Sequence, residues 1–142
     1  MEIKTDKLFV YGSLRRGFHH SAHNYISQYF CHLGDGMVKG ILYDLGEYPA
    51  AVPTSKQFFI TGELYILKNR KDFEDAIGPL DDYEGLHPEK GEKPLFIRKV
   101  TKVFLNNCDT SAWIYWYNLP LHQQPMISSG AIFDYLTYKT KQ

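Results

Sequence analysis

The stretch Leu8-Phe9-Val10-Tyr11-Gly12-Ser13-Leu14-Arg15-Arg16-Gly17 decides how this chain is read. Three consecutive apolar residues and a tyrosine, halted by Gly-Ser, have the length of a buried strand rather than a helix. Residues 12–17 then turn sharply. Such a turn can aim successive backbone N–H groups at one point and so cradle a small anion. The same pattern also fits an ordinary tight turn in which Gly12 supplies an unusual φ. It is not a phosphate loop, because no Gly-Lys-Ser/Thr follows and the Gly-x-Gly-x-x-Gly spacing is absent. Arg15 and Arg16 either pair with an anion or are solvated at the surface.

Working outward from this strand (residues 8–11), residues 21–31 read as a helix. Ser21 can cap it, and Ala22, Tyr25, Ile26, Tyr29 and Phe30 recur at helical spacing. Gly34 and Gly36 are expected to break it. Strands are expected at 37–45, at 50–52 after a Gly46-Glu47-Tyr48-Pro49 turn, and at 58–67, where Phe58, Ile60, Leu64 and Ile66 share one face. A short amphipathic helix over 72–77 carries Phe73, Ala76 and Ile77 on one side. Gly78-Pro79 is expected to interrupt it, since proline disfavours helical geometry in the residue before it. A last turn over 79–84 follows, closed by Gly85, and a polar loop runs over 86–93. Strands at 95–105 and 111–117 flank a hairpin-like Asn106-Asn107-Cys108-Asp109. Residues 120–130 look irregular and 131–138 helical. Strands outnumber helices and few helices interrupt them, which predicts an α+β fold: a curved or closed mixed sheet with helices outside.

The length, 142 residues, suits one domain spanning 1–142. An apolar fraction of 44% and a charged fraction of 23% are ordinary for a globular protein, but aromatics reach 15%, with eleven Tyr and nine Phe. Amphipathic tyrosines suit both a core and the wall of a pocket for polar small molecules. Sixteen basic residues balance sixteen acidic ones, so no net field draws the chain to nucleic acid or an anionic membrane. No run approaches the ~20 apolar residues of a membrane span, and the apolar run at 8–10 is too short for a signal-peptide core. Cys31 and Cys108 match no metal or redox spacing and are expected to be buried thiols in a reducing, cytoplasmic setting.

The second informative stretch is Leu80-Asp81-Asp82-Tyr83-Glu84-Gly85. If Phe73, Ala76, Ile77 and Leu80 form a buried face, Glu84 lies four residues past Leu80. In a regular helix its carboxylate points inward, where desolvation raises its pKa and suits it to exchange protons near neutrality. If Gly78-Pro79 resets the phase, Glu84 is instead a solvated residue at a helix end. Asp81 and Asp82 read as solvated or capping groups. His19, His20 and His23 lack further ligands at metal spacing, so no metal site is expected. Trp113, Tyr115 and Tyr117 alternate with Ala112, Ile114 and Trp116, so one face packs the core and the other either packs as well or faces a cavity. Ser13 has no identifiable His and acidic partners for a nucleophile triad.

As an ordered set these segments resemble the γ-glutamylcyclotransferase-like superfamily, including AIG2-like proteins and γ-glutamylamine cyclotransferases. The likeness runs from residues 8–14 through Val38-Lys39-Gly40-Ile41-Leu42-Tyr43, Tyr48-Pro49-Ala50, Gly62-Glu63-Leu64-Tyr65 and residues 80–85 to Phe96-Ile97-Arg98-Lys99-Val100 and Ala112-Trp113-Ile114-Tyr115. It implies a small mixed β-barrel with flanking helices and a cavity at one end. It implies a reaction in which the α-amine of a γ-glutamyl group attacks its own side-chain amide, releasing an amine and 5-oxoproline without a cofactor. Glu84 is the implied acid/base, and the Tyr11-Gly12-Ser13-Leu14 loop the implied substrate cradle, with Tyr115 at the pocket wall. At Phe96 the chain departs from the family, which commonly carries tyrosine two residues before the arginine. A non-catalytic module binding an amino-acid-like ligand in the same cavity, and an interaction protein using exposed aromatics, are the alternative readings.

Overall fold

A computed structural model describes residues 4–11, 21–45, 49–86, 91–121 and 123–127. The elements are β1 (Lys7–Val10), α1 (Ser21–Tyr29), β2 (Phe30–Asp44), β3 (Pro49–Pro53), β4 (Phe59–Leu67), a 3₁₀ turn (Arg70–Asp72), α2 (Phe73–Tyr83), β5 (Phe96–Phe104), β6 (Asp109–Tyr117) and β7 (Met126–Ile127). The sheet runs β3-β2-β4-β1-β6-β5, and pairing of Met37 with Phe104 joins β2 to β5. Strands β2, β4, β1, β6 and β5 therefore close into a barrel, while β3 and β7 extend the far half of β2. The β1–β6 contact is parallel and the other pairings are antiparallel, so the barrel is mixed, as expected.

Period-two alternation sorts the strand residues into two cores. Phe9, Ile60, Leu64, Ala112, Ile114 and Trp116 meet inside the barrel. Leu8, Val10, Tyr65, Leu67 and Tyr115 point outward and are covered by Ile26 of α1 and by Phe73, Ala76, Ile77 and Leu80 of α2. β1 is thus buried on both sides, which is why its sequence is a continuous apolar run. Gly62 lets β1 and β4 approach: a Cβ there would overlap the Val10 carbonyl oxygen and the Phe9 ring.

Four details differ from the sequence reading. The helix stops at Tyr29 and β2 begins at once, passing through Gly34 and Gly36 with a bulge between His32 and Gly34. Residues 126–127, expected to be irregular, add β7 to the β2 edge. Cys31 and Cys108 are exposed, not buried, because Cys31 faces outward on the barrel and Cys108 sits in the β5–β6 hairpin. The largest difference is α2, which runs unbroken through Gly78-Pro79. An interior proline costs roughly 3 kcal/mol, whereas burying each large apolar side chain returns about 1.5–3 kcal/mol; α2 buries Phe73, Ile77 and Leu80. The carbonyl that proline leaves without its helical donor is that of Asp75, four residues back. The Tyr25 hydroxyl of α1 lies 2.9 Å from it and 3.0 Å from the Ala76 carbonyl oxygen. The expected helix at 131–138 and the turn at 46–48 lie outside the described residues.

Candidate active site

Because α2 stays in phase, Glu84 follows Leu80 on the inward row, and its N–H closes the last turn on the Leu80 carbonyl at 2.9 Å. Gly85, with φ of 78°, adopts the left-handed conformation that ends many helices. Its N–H donates to Asp82 O (3.1 Å) and that of Leu86 to Asp81 O (3.0 Å), the paired bonds of a Schellman cap. Leu95 N–H then donates to Gly85 O (3.1 Å), tying the loop base to the cap. Glu84 is therefore held at a defined point by local backbone chemistry. Its carboxyl is pushed up from 4.5 to about 7 by burial, and among the described residues no cation forms an ion pair with it.

Two tyrosines share this environment. Tyr11, at the end of β1, is buried and donates its hydroxyl to the Tyr115 carbonyl oxygen at 2.5 Å. Burial, then the neighbouring Glu84 charge, raise its pKa well above the usual phenol value, against a smaller lowering by the Ala51 backbone hydrogen bond. Tyr115, on β6, donates its hydroxyl to Asp81 Oδ1 at 2.7 Å. Burial is the main cause raising its pKa, with the charges of Asp81 and Glu84 adding to it. Both phenols thus stay protonated at neutral pH.

Asp81 is the site residue that the sequence reading misplaced. It is buried, not solvated, and is gripped by Arg98 of β5, whose Nε and Nη2 donate to its two carboxylate oxygens at 2.8 and 3.1 Å. The Arg98 guanidinium stacks 4.3 Å from the Trp113 ring centroid and 5.7 Å from that of Phe73. The missed signal was the row Phe73, Ile77, Asp81 at four-residue spacing, legible only if the helix continues past Pro79. Asp82 is exposed, as expected. Phe96, where the family commonly has tyrosine, is buried and meets the Tyr117 ring edge-on at 5.6 Å.

The structure thus brings Glu84, Tyr11 and Tyr115 together. Gly12, Ser13 and Leu14, with Arg15, Arg16, His19 and His20, lie outside the described residues; the backbone of His23 belongs to α1. Elsewhere, His32, Asp35 and Glu63 on the β2–β4 ladder place ligand-type atoms within 4.8 Å of one another. Glu63 there is already engaged by the Tyr65 hydroxyl at 3.2 Å and by His32 at 3.8 Å. No described helix is long and apolar enough to cross a membrane.

Comparison with known proteins places the chain in a family and supports the fold. The family described as "Gamma-glutamyl cyclotransferase, AIG2-like" matches residues 8–133. The chain is 30% identical over 129 residues to the gamma-glutamylcyclotransferase family protein YtfP of Escherichia coli K12, covering 90% of this chain and 96% of that one. Among solved structures, YkqA of Bacillus subtilis superposes with a TM-score of 0.71 at 24% identity, covering 97% of this chain but 43% of YkqA, so the chain spans less than half of that protein. An AIG2-like protein from Mus musculus superposes with a TM-score of 0.61 at 24% identity, covering 84% of this chain and 87% of its own. The chain belongs to the AIG2-like gamma-glutamyl cyclotransferase family.

Proposed function

We propose that the protein is a γ-glutamyl cyclotransferase that releases 5-oxoproline from a γ-glutamyl amide or amine, with Glu84 as the general acid/base. The observation that carries this reading is half-buried Glu84, its carboxyl pushed up to about 7 by desolvation, beside two protonated tyrosines. A carboxyl at that value can accept and return a proton near neutral pH, where an ordinary solvated glutamate is a weak base. The nucleophile resides in the substrate, so the protein needs no serine or cysteine attack. Ionised Glu84 takes a proton from the α-ammonium, the freed amine attacks the side-chain carbonyl carbon, and Glu84 returns that proton to the departing nitrogen as the carbon–nitrogen bond breaks. The second proton, lost by the new ring nitrogen, passes by the same carboxylate to the released amine, which leaves as an ammonium. Holding the chain folded on itself is the main task, because oriented intramolecular attack corresponds to effective molarities on the order of 10⁵ M or more.

By the family resemblance, the backbone N–H groups of Gly12, Ser13 and Leu14 hold the glutamyl α-carboxylate. Tyr11 and Tyr115, their hydroxyl protons committed to the Tyr115 carbonyl and to Asp81, serve as rigid walls rather than acids. The proposed partner is a cytoplasmic small molecule, and the reaction calls for no cofactor. Incubation with a panel of γ-glutamyl amino acids, polyamines, lysine isopeptides and glutathione, with 5-oxoproline quantified by mass spectrometry, tests the reading. Saturable product from one class is expected. Absence of product, with glutamate or 5-oxoproline still raising the melting temperature, would make the protein a binding module.

A further inference from the structure

The β2–β4 ladder brings together a histidine and two carboxylates that an undisturbed strand would keep apart. His32 and Asp35 are three residues apart, a spacing that in regular β-structure sends side chains to opposite faces. The bulge between His32 and Gly34 takes up one residue, so His32 pairs with Tyr65 and Asp35 with Glu63. Tyr65 and Glu63 lie two apart on β4 and share a face. The bulge therefore turns His32 and Asp35 onto that same face. Glu63 also pairs with Val10, which sets the cluster beside the end of β1.

Burial and hydrogen bonding order the cluster. Glu63 is 4% exposed. Its Oε1 accepts the Tyr65 hydroxyl at 3.2 Å, and its Oε2 lies 3.8 Å from His32 Nε2. That separation is too long for a hydrogen bond. It suits two atoms bound to one ion, since with bonds of about 2.1 Å neighbouring ligands stand roughly 3–4 Å apart. One ligand-type atom from each of the three residues lies within 4.8 Å of the others, and the exposed His32 and Asp35 side chains can rotate to close the remainder. The His32 and Tyr65 rings meet edge-on with centroids 5.3 Å apart. Tyr65 thus orients one ligand by packing and another through its hydroxyl, the kind of outer support that metal sites regularly use.

We propose that His32, Asp35 and Glu63 form a binding site for a divalent first-row transition ion, with Zn²⁺ as the probe. Two carboxylates supply the negative charge a dication needs. The imidazole nitrogen favours Zn²⁺ over Mg²⁺, which prefers oxygen alone. Three protein ligands leave a fourth position to water. An ion here clips β2 to β4 where the bulge interrupts their ladder, so its binding stabilises the folded chain. None of the three ligands belongs to the Glu84 site, and the proposal does not rest on the cyclotransferase reading.

Calorimetric titration of the full chain, stripped of metal with a chelator, against zinc chloride tests the site. Saturable uptake that depends on His32 and Asp35 is expected, with a rise in melting temperature on zinc addition. His32→Gln and Asp35→Asn alter exposed side chains and should fold; each should weaken uptake at least about 10-fold. Tyr65→Phe keeps all three ligands and removes only the hydroxyl on Glu63, and it should weaken uptake by up to about 10-fold. Cys31→Ser, which removes the neighbouring thiol, should bind as wild type. Absence of saturable uptake, or uptake that either His32→Gln or Asp35→Asn leaves unchanged, would overturn the proposal. Loss of binding in Cys31→Ser would assign the ion to the thiol and overturn it equally. Magnesium chloride in place of zinc should give far weaker uptake, and equal affinity would contradict the donor set.

Discussion

In the proposed reaction a single carboxyl group carries the proton chemistry. Glu84 reaches its elevated value by burial alone, and that has a consequence for stability. Its folded-state pKa, about 7, lies above the ordinary 4.5, so the native state holds the proton more tightly than the unfolded chain. Stability is therefore highest below pH 4.5 with respect to this group and falls as pH rises towards 7. Glu84→Gln removes the ionisation. The variant is expected to match wild type closely at pH 4 and to exceed it at pH 8 by roughly 2 kcal/mol, after allowance for partial solvent screening. Urea denaturation at the two pH values checks this, and equal stability differences at both would contradict the burial argument. The group was legible in the sequence as a carboxylate four residues past Leu80, but its direction depended on whether the helix kept its phase.

At the level of the element, that phase is decided by contacts no local rule contains. Gly78-Pro79 reads as a helix break, and the tertiary structure overrides it by burying one face of α2 and lending the Tyr25 hydroxyl to the Asp75 carbonyl. The same override explains why Asp81 was misread: once Pro79 is taken as a boundary, its kinship with Phe73 and Ile77 disappears. Tyr25→Phe is expected to destabilise the protein by about 1 kcal/mol. In a Pro79→Ala background residue 79 regains an N–H for the Asp75 carbonyl, and the Tyr25→Phe cost should shrink markedly. A double-mutant cycle by chemical denaturation measures the coupling; strict additivity would mean that Tyr25 does not compensate for the proline. The strands were more legible than this helix, because β4 and β6 carry their alternation in the sequence. The start of β2 was not, since its glycines read as breakers and a bulge at His32/Gly34 interrupts the ladder.

Across the whole molecule, the barrel holds the end of β1, the last turn of α2 and β6 in fixed relation, which brings Tyr11, Glu84 and Tyr115 into one environment. Closure depends on the tight β1–β4 approach at Gly62. Gly62→Ala should cost on the order of 1–3 kcal/mol by overpacking against Phe9 and the Val10 carbonyl, measurable as a fall in the denaturation midpoint; no fall would mean the barrel relaxes freely there. The mixed barrel itself was foreseen from strand count and from the family resemblance. The exposure of the two thiols was not foreseen, because the environment of Cys31 and Cys108 depends on which way a strand faces and where a hairpin ends. The proposed function joins these scales: in it, the fold holds one near-neutral carboxyl against a folded γ-glutamyl chain. The direct test is 5-oxoproline formation by wild type and Glu84→Gln side by side on the best γ-glutamyl compound, with ligand binding measured on both. The account predicts a loss of turnover of at least about 100-fold in the variant with binding retained; turnover equal to wild type would contradict it.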